Sequence, residues 1–365
     1  RDNVIIQGAN NSPTVTINGS STGTTLSGLT ITHTGENTGR GIYIIGSGNL
    51  IIDNCIISGN STDYGGGGIY NYAGTLTITS STISDNTAAY GGGIYNCYDG
   101  TLDITSSDIS DNTVTNDGGG IYNDNGGNVT INSSTISGNT AANYGGGIYN
   151  YGTLTITSST TISSNTADYG GGGICNFGKT LTITSSTISS NTADYGGGIY
   201  NYTNSTLTIT GSTIYSNTAT NGGGGISNKG TLTITSSTIS GNIADEGGGG
   251  GISNKGTLTI TSSTISGNTA DNGGGIYNYG GTTTITSSTI SGNTGYVGGG
   301  IYNKGTLTIT SSNISGNNVS QQGGGIYLGG TGINIIGGND ASDTSNFNTF
   351  TDNKKDGIIL ADQHI

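Results

Sequence analysis

GGGISNKGTLTITSSTISGNTAD, residues 249–271, repeats residues 223–245 with a single change, Ile243 against Thr269. Self-similarity at a period of about 20 to 50 residues dictates architecture, so the same unit is sought along the rest of the chain. The Ile that follows each glycine cluster recurs at Ile42, Ile69, Ile94, Ile121, Ile148, Ile174, Ile199, Ile226, Ile252, Ile276, Ile301 and Ile326, at intervals of 24 to 27 residues. Within the unit the apolar residues alternate with period two. In TLTIT at 231–235, Leu232 and Ile234 face one way and the three threonines the other, the pattern of a half-buried strand. Ile226 and Ile239 extend the inward set.

Parallel strands in a doubly wound sheet need helical crossovers, and no helical stretch separates these. One full turn per copy solves the problem, because each strand then stacks on its counterpart and hides the Ile and Leu set that a lone coil would expose. The sequence therefore predicts an all-β, three-sided parallel β-helix of about 13 coils, forming one domain over residues 1–365: N-terminal coils over 1–41, regular repeats over 42–328 and an irregular C-terminal coil over 329–365. The glycine runs mark the corners. The Asn that closes each I-x-x-N, among them Asn86, Asn112, Asn139, Asn242 and Asn268, reads as an inward amide ladder, and the Asn two residues after the coil Ile, from Asn71 to Asn303, reads as another.

Composition narrows function. The 365 residues include 72 Gly and 21 Tyr, with 8% charged residues and a net charge of −13. The eight basic residues are scattered, so nucleic acid is not an expected partner. No apolar run approaches the ~18 residues of a membrane-spanning helix. Cys55, Cys97 and Cys175 are odd in number and irregular in spacing, which argues against a disulfide framework and a zinc site. The chain begins at Arg1 rather than Met, which reads as a processed or truncated product.

The alternation of GGGI with I-x-x-N resembles the GGA(I/L/V) and FxxN repeats of chlamydial polymorphic outer membrane proteins. It is also similar to the wider group of secreted bacterial and archaeal right-handed parallel β-helix repeat proteins. FTDN at 350–353, followed by Gly357 and Ile358, keeps the Phe that Ile replaces elsewhere. The resemblance implies an extracellular or cell-surface protein of pectate-lyase-like fold with a structural or adhesive role. It departs from the chlamydial proteins in that no autotransporter barrel follows.

The chemistry of the enzymes that share such solenoids is not visible. Only His33 and His364 are present and no Arg lies beyond Arg40, so no enzymatic activity is expected. Asp85 and Asp111, one coil apart, are the metal candidates and would hold calcium weakly; no other cofactor is expected. Tyr70, Tyr95, Tyr122, Tyr149, Tyr200, Tyr277 and Tyr302 follow the coil Ile and form an outward column, the candidate interaction face for surface glycans or another rod. The outward Thr rows suggest an ice-binding surface as a further alternative, interrupted at Asp53, Asp103, Asn128 and Asn132. Neither terminus shows a cap, which favours end-to-end contact between copies. The leading expectation is a secreted structural subunit that assembles with itself into a filament, sheath or layer. An adhesin-like passenger is the alternative.

Overall fold

The two near-identical copies lie directly on one another. In the computed structural model, Ile226 pairs with Ile252, Leu232 with Leu258, Ile234 with Ile260 and Ile239 with Ile265, all in parallel strands. The structure describes residues 4–9, 11–19, 22–33, 38–124, 126–330, 332, 334–337, 348–353 and 358–360. They group into two compact units, residues 1–182 and 183–365, each built the same way.

A coil in the second unit runs through the strands Ile252–Asn254, Thr257–Thr261, Thr264–Ser266 and Thr269–Asn272. The first three build the three expected sheets. The fourth, absent from the sequence reading, makes a narrow extra sheet at the corner before the glycines, and Ala88, Val114 and Ala141 form its small core in the first unit. A two-residue Thr-Ala strand bounded by Asn and Gly carries too little alternation to be read as one. Every named strand pair is parallel, and no described residue is helical.

The core is narrow and filled mostly by Ile and Leu. Ile94, Leu102, Ile104 and Ile109 of one coil are at most 1% exposed, as are Ile121, Ile148, Ile226 and Ile252 at the corner position. Each such side chain contributes about 1.5–3 kcal/mol by leaving water. In the C-terminal coil Phe350 takes the Ile place, paired with Ile314, and Ile358 pairs with Ile326; Gly357 lies outside the described residues.

Three polar ladders line the same interior. The Asn139 amide donates to Asn165 Oδ1 at 2.9 Å and to Ile109 O at 2.9 Å, while its own Oδ1 accepts from the amide and backbone N–H of Asn112. The ladder repeats through Asn86 and Asn112 in the first unit and through Asn242 and Asn268 in the second, with Asn353 receiving from Asn317 at 3.0 Å. His33 caps it, Nδ1 lying 2.9 Å from Asn60 Oδ1. The second Asn ladder runs Asn71, Asn96, Asn123, Asn150 in one unit and Asn201, Asn228, Asn254, Asn278 in the other. Its first member follows Ile44 in register, so no amide reaches Asn71 Oδ1, which is buried without a partner. The third ladder, of serine, was not foreseen. In most coils the Ser two residues before the Ile of I-x-x-N donates to the Thr carbonyl two residues back and accepts the N–H of its counterpart one coil earlier, as with Ser237 Oγ to Thr235 O at 2.8 Å and Ser212 N to Ser237 Oγ at 3.2 Å; Thr160 takes the place in one coil.

Candidate functional site

With the inward residues spent on stacking, function rests on what each coil turns outward. On the first sheet this is the residue after the coil Ile. Tyr70, Tyr95, Tyr122 and Tyr149 stack face to face along the first unit, with centroids 5.0, 4.8 and 4.8 Å apart. In the second unit Tyr277 meets Tyr302 at 5.2 Å and Tyr302 meets Tyr327 at 4.9 Å. The expectation of a fully open column needs correction: Tyr149, Tyr200 and Tyr302 are only 8%, 4% and 9% exposed. Flanking groups lean over them, Phe177 on Tyr149, Tyr202 on Tyr200 and the Lys304 ammonium on Tyr302. Burial pushes the Tyr95 and Tyr149 hydroxyls well above their ordinary range; Tyr95 is raised further by the Asp124 carboxylate, to which it donates at 3.0 Å.

Cations gather on these rings. The Arg40 guanidinium lies 4.8 Å from the Tyr70 centroid and 5.4 Å from that of Tyr43, and Nε donates to Gly65 O at 2.8 Å. With Asp63 and Tyr64 it lines two surface cavities of about 340 and 300 Å³. In the second unit the lysine of each NKG, namely Lys229, Lys255 and Lys304, lies over a tyrosine at 5.0 to 5.4 Å. The sequence showed these lysines only as scattered charge; their signal was the shared place after Asn, where other coils carry Tyr151, Phe177 or Tyr279.

The second outward surface is threonine. Five consecutive strands, Thr206–Thr210, Thr231–Thr235, Thr257–Thr261, Thr282–Thr286 and Thr306–Thr310, each present three outward threonines in register, with no charged residue among them. The interruptions noted in the sequence, Asp53, Asp103, Asn128 and Asn132, all fall in the first unit.

Asp85 and Asp111 follow paired strands of adjacent coils but are exposed, at φ of 57° and 56°, where other coils use Gly. No group of three or more His, Cys, Asp or Glu that could hold a metal occurs among the described residues. Burial raises Asp108, whose Oδ1 has no partner, and Asp117, which accepts the Tyr144 N–H at 3.1 Å. The three cysteines are free and buried; Cys175 occupies a Tyr-column position beside Tyr149, and burial pushes the Cys97 thiol up to about 11. No helix among the described residues is long and apolar enough to cross a membrane.

Stacked parallel coils, internal amide ladders and outward faces repeated rung by rung define a parallel β-solenoid repeat protein. Three overlapping stretches, residues 2–160, 102–261 and 197–364, match the family model of the right-handed β-helix region, and the chain belongs to that family. No curated protein and no solved structure matches the chain.

Proposed function

We propose that the chain is a non-enzymatic structural protein of the cell surface whose copies join one another into a filament, sheath or layer. The observation that carries this reading is the charge-free threonine face of residues 206–310. On a chain of net charge −13, a flat face free of carboxylates is where a second copy can approach without like-charge repulsion. The fold family and the resemblance of the GGGI and I-x-x-N repeats to secreted surface proteins support the extracellular setting. Sedimentation velocity over a concentration series, with electron micrographs of the same samples, tests it. The wild-type chain assembles reversibly, whereas Thr233→Lys with Thr284→Lys stays monomeric with unchanged circular dichroism. A wild-type chain that sediments as one monomer at every concentration refutes it.

The same grid favours a second reading, an ice-binding face, because it repeats hydroxyl and methyl groups at the ladder spacing of about 4.8 Å. An ice-recrystallisation assay on the wild type and on the lysine variant decides: inhibition lost in the variant supports this reading, and no inhibition by the wild type removes it.

A further inference from the structure

The tyrosine column of the second unit has a gap two coils high. Tyr200, Ser227, Ser253 and Tyr277 succeed one another in register, so two rings are missing between two that remain. The flanking position changes in the same two coils: Tyr202 and Tyr279 bracket Lys229 and Lys255, whose N–H groups follow the same coil-to-coil hydrogen bonds. The paired ISNKG coils thus replace two aromatic pairs by two serines and two lysines. The space left is a cavity of about 140 Å³, lined by both serines and both lysines and walled by the Tyr277 ring. An apolar cavity of about 150 Å³ takes a benzene ring, so a space of this size admits one face of a pyranose while its far edge stays in solvent.

Its serine hydroxyls are unspent and its lysines have no carboxylate partner among the described residues. Ser227 and Ser253 are 6% and 8% exposed, and neither hydroxyl makes a hydrogen bond to a described residue. Neither lysine is ion-paired with a carboxylate among the described residues, although acids outnumber bases 21 to 8 in the chain. The Lys229 ammonium instead donates to Tyr200 OH at 2.5 Å, and that of Lys255 lies 5.4 Å from the Tyr279 centroid.

We propose that this notch is a binding site for an anionic sugar residue, one carrying a carboxylate or a sulfate. The C–H face of the pyranose stacks on the Tyr277 ring in the place of a missing tyrosine, the acid group meets Lys229 and Lys255, and the ring hydroxyls engage the two serines. The site is separate from the threonine face and does not depend on homotypic assembly.

The test uses the full chain, titrated with carboxylated and sulfated disaccharides and with their neutral parent, read by calorimetry and by tyrosine fluorescence. The anionic ligands bind at least about tenfold more tightly than the neutral parent, and added salt weakens them. Ser227→Tyr with Ser253→Tyr closes the notch and abolishes binding. This variant copies a native coil, since Tyr302 and Lys304 already coexist in the ring-cation contact it would form. Lys229→Gln with Lys255→Gln erases the preference for the anionic ligands. Comparison of the two acids shows which is the natural ligand class. No binding by the wild type, equal affinity for the neutral parent, or binding unchanged in the double-tyrosine variant overturns the proposal.

Discussion

Asn139 makes four side-chain hydrogen bonds at 2.9 to 3.0 Å with no solvent access. Asn139→Leu takes a donor from the Ile109 carbonyl and the acceptor from the Asn112 backbone N–H, and each orphaned group costs about 1–3 kcal/mol; chemical denaturation should record a loss of that order. Asn139→Asp is worse, because a carboxylate would face the Ile109 carbonyl and Asn165 Oδ1 with no proton to offer. The raised carboxyl of Asp117 acts in the opposite direction. A carboxyl whose folded value exceeds its unfolded one binds its proton more tightly when folded, so its burden on stability is absent below 3.8 and grows as pH rises through the raised value. Asp117→Asn keeps an acceptor for the Tyr144 N–H and should raise the melting temperature at neutral pH while leaving it unchanged in acid. The stacked tyrosines titrate by the same rule: Tyr95 and Tyr122 keep their protons above the ordinary 10.0, so alkaline titration should show late phenolate absorbance together with loss of stability above that pH.

Corners between strands show why three consecutive glycines recur. Gly145 holds φ at 66° and a Cβ there would stand 2.4 Å from the Ile148 carbonyl, while at Gly147 a Cβ would meet the Gly173 carbonyl of the neighbouring coil at 2.6 Å. Gly147→Ala has no flexible side chain to displace and should cost at least about 1–3 kcal/mol, the range for overpacking, measurable as a lower denaturation midpoint at unchanged slope. Two-residue alternation in TLTIT and the glycine period made the three sheets and both asparagine ladders legible in sequence. The serine ladder was not, since Ser237 is a small polar residue in a stretch that also reads as a turn, and only hydrogen bonds 25 to 26 residues apart reveal it. The notch was half legible. Ser227 and Ser253 plainly broke the tyrosine column, but that Lys229 and Lys255 converge beside them depends on which coil positions stack.

Within each unit a coil touches chiefly the coils before and after it, so stability is set by nearest-neighbour interfaces and single defects act locally. Most acids along residues 63–271 sit at corners; among the described residues Asp53 and Asp103 are the only charges on this sheet's strands in the first unit, and the second has none. Surface chemistry is thereby sorted by face: amphipathic and cation-dressed along the tyrosines, neutral and hydroxylated along the threonines. That sorting requires identical residues to stand over one another, and cross-linking measures it directly. In a background with Cys55, Cys97 and Cys175 replaced by serine, Thr233→Cys with Thr259→Cys should form an intramolecular disulfide on mild oxidation, because the two positions are register partners. Thr233→Cys with Thr284→Cys, two coils apart, should not. Failure of the first pair to cross-link, or equal cross-linking of the second, would contradict in-register stacking and every surface built on it.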